Sequence, residues 1–181
     1  MWNLTQKALA QSLKDLLQTR SLDDITIADI TGKCGVSRQT FYYHFKDIND
    51  LLKWIFINEA REEIGNRKTI GTWQQGLLNI FLYCRSNRAM ITAAFHSELH
   101  ENLEVFLCDC TFTLLYGVVE EEAKGLEVPE KRKRFIADFF KYSFVGVLMQ
   151  WIEDGMVGDP HQIVSQIGIL MEGDFAKALR S

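Results

Sequence analysis

Apolar residues recur at intervals of three and four along almost the whole of this chain, and little interrupts them. Only two prolines occur, Pro129 and Pro160, and few stretches show the period of two that a half-buried strand needs. A backbone of this kind satisfies its own N–H and C=O groups while turning one stripe inward, so the sequence predicts an all-α fold. Both prolines stand at expected helix starts, where a missing N–H costs nothing. The first helix is expected over about Leu4–Thr19, with Leu9, Leu13, Leu16 and Leu17 as its buried stripe. Gly65–Thr72, with two glycines, an asparagine and adjacent charges, is the expected boundary between a head and a body. Beyond it the periodicity predicts helices at about Trp73–Ser86, Ala89–His96, Glu98–Ala123, Pro129–Asp154 and Asp159–Leu179.

Within the head, Thr26–Leu52 reads as two short capped helices joined by a turn. Ile27, Ile30 and Cys34 share one helix face, Thr26 precedes them as an N-cap, and Gly35 follows as the stop. Ser37 then caps a second helix whose Val36, Phe41 and Phe45 are spaced to pack inward. A third begins at Asp47 and continues through Leu51, Leu52, Ile55 and Phe56 toward Ile64. Two capped helices with a tight turn, the second carrying Arg, Gln, Thr and Tyr, form a helix-turn-helix pattern.

That pattern assigns chemistry to particular residues. Arg38 and Gln39 open the second helix, where side chains meet base edges in a major groove; Arg suits guanine and Gln suits adenine. Thr40 and Tyr43 offer a methyl and a ring to thymine methyl groups. Thr26, Ser37, Tyr42, His44 and Lys46 are expected at phosphates, through hydroxyl, imidazole or charge, and Lys7 is a further candidate. Tyr42 and Tyr43 point about 100° apart, which leaves open that one of them is structural.

Net charge is −4, unusual for a nucleic-acid binder. Residues 1–56 hold seven Lys and Arg against six Asp and Glu, so the head is +1 and the acidity lies beyond it. Phosphate attraction must then come from local placement, and from two heads acting together.

The same residues resemble the tetracycline-repressor (TetR) family. Its usual order is matched by Ile30, Cys34-Gly35-Val36-Ser37, Thr40-Phe41-Tyr42, His44-Phe45 and Leu51-Leu52. The string RQTFYYHF is also similar to the subgroup that includes transcriptional activators of dihydroxyacetone kinase operons. The resemblance covers the first third of the chain and implies phosphate contacts at Thr26, Tyr42 and Lys46. It implies a homodimer, and an effector held in the helical body. Two positions depart from it: Cys34 replaces a common Ala, and Ile48 stands where a phosphate-contacting Lys is usual.

The body is rich in aromatic residues, from Trp73 and Phe81 to Phe140 and Phe144, which suits either a plain core or an apolar ligand cavity. FVGVLMQWIEDG resembles the family's pattern near the end of its penultimate helix. Gly146, Phe139, Val147 and Met149, with Ile163, Ile167, Leu170 and Met171, are the candidates for a four-helix dimer interface. His96, His100, Cys108 and Cys110 do not make a metal site: Ser97-Glu98 reads as a helix break, and cysteines two apart point about 200° from each other. No phosphate-cradling Gly loop or nucleophile elbow occurs, so no enzyme is expected and no cofactor. Four cysteines in a chain this long do not form a secreted disulfide framework, no leader precedes the motif, and no uninterrupted apolar run nears the ~20 residues of a membrane span. A cytoplasmic location is expected.

The sequence therefore predicts a three-helix helix-turn-helix head at residues 1–50 and a helical effector-binding and dimerisation body at 51–181. The expected function is sequence-specific transcriptional regulation, as repressor or activator, by a homodimer on a palindromic double-stranded DNA operator. A small-molecule effector or a protein co-regulator at the body would modulate it. The rival reading is a helical protein–protein adaptor whose helix-turn-helix no longer binds DNA, favoured by the near-neutral head and Ile48.

Overall fold

The computed structural model describes residues 4–64 and 73–180, and every regular element among them is helical. In chain order these are α1 (Leu4–Leu17), a single 3₁₀ turn at Leu22–Asp24, α2 (Ile27–Cys34), α3 (Arg38–His44), α4 (Ile48–Ile64), α5 (Trp73–Ser86), α6 (Arg88–Phe95), α7 (His100–Glu122), α8 (Glu130–Glu153), α9 (Pro160–Leu170) and α10 (Asp174–Arg180). The expected head–body boundary at Gly65–Thr72 lies outside the described residues. The chain forms two compact units. One comprises Met1–Glu59 with Asn87–Leu103, the other Ala60–Ser86 with Glu104–Ser181.

In the first unit α1 packs on α2 and α6, and α2 packs on α3. Leu9, Leu13 and Leu17 are buried, as the periodicity requires, but Leu16 is only half-buried; Ala10 and Ser12 complete the inner face instead. Adjacent Leu16 and Leu17 point about 100° apart, so one stripe cannot bury both fully. Ile30, Phe41, Phe45, Leu51, Leu52, Ile55 and Phe56 close the core around them. Each fully buried Leu, Ile or Phe contributes about 1.5–3 kcal/mol relative to exposure. Ile27, Cys34 and Val36 flank this core, half-buried.

In the second unit α5 packs on α9, and α8 on α10. Trp73 meets Phe144 at 5.6 Å and Phe175 at 6.3 Å between ring centroids, and Phe81 meets Trp151 at 5.1 Å. The expected last helix is two helices. It breaks after Leu170, and Gly173 takes a left-handed φ of 78° before α10 restarts at Asp174. The Arg132 guanidinium of α8 donates to the Ala178 carbonyl from Nε (3.2 Å) and Nη2 (2.8 Å), satisfying a last-turn carbonyl of α10.

Of the expected interface residues, Phe139, Val147 and Leu170 are exposed. Ile167 and Met171 are buried in their own chain, where α9 turns its Val164 and Ile167 inward. By length and composition α7 and α8 are also apolar enough to cross a bilayer, which a search for uninterrupted runs does not reveal; half of the apolar window of α7 is buried within the protein.

Candidate nucleic-acid interface

Local capping positions every element of the helix-turn-helix. Thr26 begins α2 with a reciprocal capping box: its hydroxyl accepts from the Asp29 N–H (3.2 Å), and the Thr26 N–H donates to Asp29 Oδ2 (2.8 Å). The Thr26 hydroxyl donates to the same oxygen at 2.6 Å. Thr-x-x-Asp is the sequence signature of this box, so Asp29 was legible beside Thr26, although the sequence reading singled out only Thr26. Those hydrogen bonds from Thr26, aided by Arg20, hold the Asp29 carboxyl down at about 2. Gly35 ends α2 at φ 71°, a left-handed position that costs Gly least.

Ser37 caps α3, accepting from the Thr40 N–H at 3.1 Å, and its hydroxyl lies 2.9 Å from that of Thr40. This fixes which side chains face out. Phe41 is fully buried and Phe45 nearly so, with ring centroids 5.9 Å apart. Phe45 packs edge-on against Trp54 of α4 at 5.6 Å. With that face anchored, Arg38 and Gln39 project into solvent and Thr40 is half-buried. Both tyrosines are exposed: Tyr43 at 84%, Tyr42 at 59%. Tyr42 rests edge-on against Phe41 at 5.8 Å, and Tyr43 against His44 at 4.9 Å. His44 is half-buried, and Lys46 is exposed beyond the end of α3.

The weak net charge of the head hides an uneven placement. Asp24 accepts from the Ser21 hydroxyl, Asp29 from Thr26, Asp47 from the Asp50 N–H (2.8 Å), and Asp50 from the Lys46 N–H (3.0 Å). Four of the head's acids are thus engaged locally, and three of them, Asp29, Asp47 and Asp50, stabilise N–H groups at helix starts that have no helical partner. Arg20 pairs with Asp29 (3.2 Å) and Lys33 with Asp15 (3.6 Å). Arg38, Lys46 and Lys53 are exposed, and no ion pair to them occurs among the described residues. A solvent-facing helix with an exposed Arg and amide and ring donors, followed by exposed lysines, is chemically suited to a polyanion with readable edges.

Residues 96–99 form a turn that separates His96 from α7, and His100 Nδ1 lies 2.7 Å from the Phe95 carbonyl. No group of three or more His, Cys, Asp or Glu residues suited to a metal occurs among the described residues. All four cysteines are free thiols, and burial pushes Cys84 up to about 12.

Comparison with known proteins agrees with this arrangement. Residues 12–55 match the family described as bacterial regulatory proteins, tetR family, and residues 71–173 match its transcriptional regulator C-terminal region. The chain is 32% identical over 121 residues to the HTH-type dhaKLM operon transcriptional activator DhaS of Lactococcus lactis subsp. lactis (strain IL1403). That match covers 67% of this chain and 64% of the relative, so the chain spans less than two thirds of its length. A solved structure titled dihydroxyacetone kinase operon activator DhaS superposes with a TM-score of 0.78 at 28% identity, covering 95% of this chain and 96% of that one. The resemblance read from RQTFYYHF is therefore upheld. Two repressors share the fold at lower identity. AlkX from Dietzia sp. strain DQ12-45-1b has a TM-score of 0.58 at 19% identity, covering 97% of both chains. NalD from Pseudomonas aeruginosa has 0.61 at 16%, covering 97% of this chain and 96% of that one. These are transcription regulators and not enzymes. With a matched N-terminal head and a matched C-terminal region covering more than half of its length, this chain belongs to the tetR family of bacterial regulatory proteins.

Proposed function

We propose that this chain is a sequence-specific transcriptional regulator that binds a palindromic double-stranded DNA operator as a homodimer. Residues 1–50 form its DNA-binding part and 51–181 its effector-binding and dimerisation part. Arg38 and Gln39 read base edges, Thr40 and Tyr43 contact thymine methyls, Ser37, Tyr42, His44 and Lys46 hold phosphates, and a further phosphate approaches the start of α2 at Thr26. The observation that carries this reading is α3 itself. Its apolar face is locked by Phe41 and Phe45, while Arg38, Gln39 and Tyr43 stand in solvent.

The homodimer is supported by an exposed apolar stripe on α8. Phe135, Phe139 and Tyr142 follow one another at i, i+4 and i+7 on α8 and are all exposed. Gly146 continues the stripe, and a Cβ placed there would meet nothing within 4 Å. A two-fold dimer that reads successive major grooves needs its reading helices about 34–36 Å apart, or a multiple of it. Two modest heads on one duplex add their free energies, which answers the low charge of each.

An effector or a protein co-regulator at 51–181 shifts the equilibrium between two head separations. The likeness to an operon activator favours activation over repression. Such a regulator acts in the cytoplasm, where the operator is. Selection from random duplexes at two salt concentrations tests the reading: an inverted repeat is expected, with affinity falling steeply as salt rises. Folded protein that recovers no sequence at low salt would overturn it in favour of an adaptor.

A further inference from the structure

Thr26, Asp29 and Arg20 form a closed set at the entry to α2, and its electrostatics conflict with a phosphate at Thr26. The single proton of the Thr26 hydroxyl is directed at Asp29 Oδ2 (2.6 Å), so it is not free for a phosphate oxygen. The carboxylate it serves is ionised at any working pH, since its pKa is held at about 2. A phosphate arriving there meets a fixed negative charge along with the α2 N–H groups, and titration cannot remove it.

Arg20 is the cation that answers this charge. Its Nη1 lies 3.2 Å from Asp29 Oδ1, on the carboxylate oxygen that Thr26 does not use. Its Nη2 donates to the Asp24 carbonyl, which ties the guanidinium to the loop between α1 and α2. These contacts occupy two of the five guanidinium N–H donors, and the side chain is 37% exposed. A planar fork with spare donors suits a phosphate oxygen better than a point charge does. Sequence reading passed over Arg20 because it sits in a loop, outside both capped helices.

We propose that Arg20 is a further DNA-backbone residue of the head. It neutralises the Asp29 carboxylate and turns its remaining N–H donors to the phosphate that approaches Thr26. The inference rests on the DNA-binding reading above. It extends the phosphate-contacting surface from the capped helices into the α1–α2 loop.

The test compares wild type with Arg20→Ala, Arg20→Lys and Arg38→Ala on the duplex recovered by random selection, between about 50 and 200 mM salt. Arg20→Ala is expected to bind about tenfold more weakly, the scale of one charge-assisted hydrogen bond. Its plot of log affinity against log salt should become shallower by about 0.9 for each head. Arg20→Lys, which keeps the charge without the fork, should restore the slope and part of the affinity. Thermal unfolding of each variant separates this from a structural effect, because lost stability alone leaves the salt slope unchanged. An Arg20→Ala slope equal to wild type, or an Arg20→Lys variant as impaired as Arg20→Ala, would overturn the assignment. Should Arg38→Ala weaken binding while Arg20→Ala does not, only this inference falls; if wild type binds no duplex, the DNA-binding reading falls with it.

Discussion

The Ser12 hydroxyl, buried in α1, donates a 2.8 Å hydrogen bond to the main-chain carbonyl of Ile30 in α2. It joins the first helix to the helix that carries the turn, at a point where both partners are shut away from water. The Ile30 carbonyl also accepts from the Cys34 thiol at 3.3 Å, so it keeps a side-chain partner if Ser12 is removed.

Ser12→Ala is therefore expected to cost only about 1 kcal/mol, the net worth of one hydrogen bond, because no buried acceptor is orphaned. Ser12→Val should cost more, since the added methyls must fit against a filled core. Urea unfolding of both variants checks the order, with equal losses counting against the packing argument.

Stability should also depend on pH through Asp29. Its folded pKa lies at about 2, below the ordinary range of an aspartate, chiefly because Thr26 hydrogen-bonds its charged form. A depressed carboxyl pKa stabilises the fold above the unfolded value and loses that contribution as pH falls through the folded one. The loss should fall between about pH 4 and pH 2, and Asp29→Asn should flatten that part of the stability curve. A curve of unchanged shape in Asp29→Asn would mean that another carboxyl dominates acid unfolding.

Helix ends were legible because capping is local. Thr26, Ser37, Asp47 and Asp159 each sit next to the N–H they accept from, so four residues of sequence contain the whole interaction. What escaped depended on distance or on the choice between neighbours. Ser12 reads as a solvent-facing polar residue until Ile30 is placed opposite it, 18 residues along the chain. Similarly, the packing of α6 on α1 leaves no mark on either helix's periodicity. The break between α9 and α10 was hidden because apolar residues continue at helical spacing from Leu170 to Phe175, although Gly173 was there to mark it. On the reading surface, the outward face of α3 followed from Phe41 and Phe45. Arg20 did not, because its partner Asp29 is brought to it by the turn between them.

Reactivity of the thiols should follow their surroundings. Cys84 is fully buried and its thiol is pushed up to about 12, chiefly by desolvation, so little of the reactive thiolate forms near neutral pH. Cys34 and Cys108 are half-exposed. A thiol reagent is expected to label Cys34 and Cys108 in the folded protein, and Cys84 and Cys110 only after unfolding. Rapid labelling of Cys84, read by peptide mass, would show that the second unit opens far more readily than its packing implies.

Base readout and phosphate contact should separate by mutation. Arg38 stands at the first position of α3, Lys46 beyond its end, and both are exposed. Arg38→Ala is expected to cost about 1–3 kcal/mol on the selected operator and much less on random DNA. Lys46→Ala should weaken both alike and make the salt dependence shallower. Equal losses for Arg38→Ala on the two duplexes would remove it from base readout.

The α8 face gives the last expectation. Phe139 is 61% exposed in the single chain, and each two-fold partner would contribute one copy, so its burial counts twice. At about 1.5–3 kcal/mol per buried Phe side chain, a charge at this position removes that gain and adds a desolvation cost. Phe139→Asp should therefore sediment as a monomer with its helical circular dichroism intact, because the ring is not part of its own core. Gly146→Ala separates the two roles of the stripe. In the monomer its new Cβ meets nothing within 4 Å, and an exposed helical Gly replaced by Ala gains about 1 kcal/mol. In a close helix pair the same methyl obstructs the approach. A variant that unfolds at higher temperature yet dimerises more weakly is the expected result, and one that dimerises as wild type would move the interface away from Gly146.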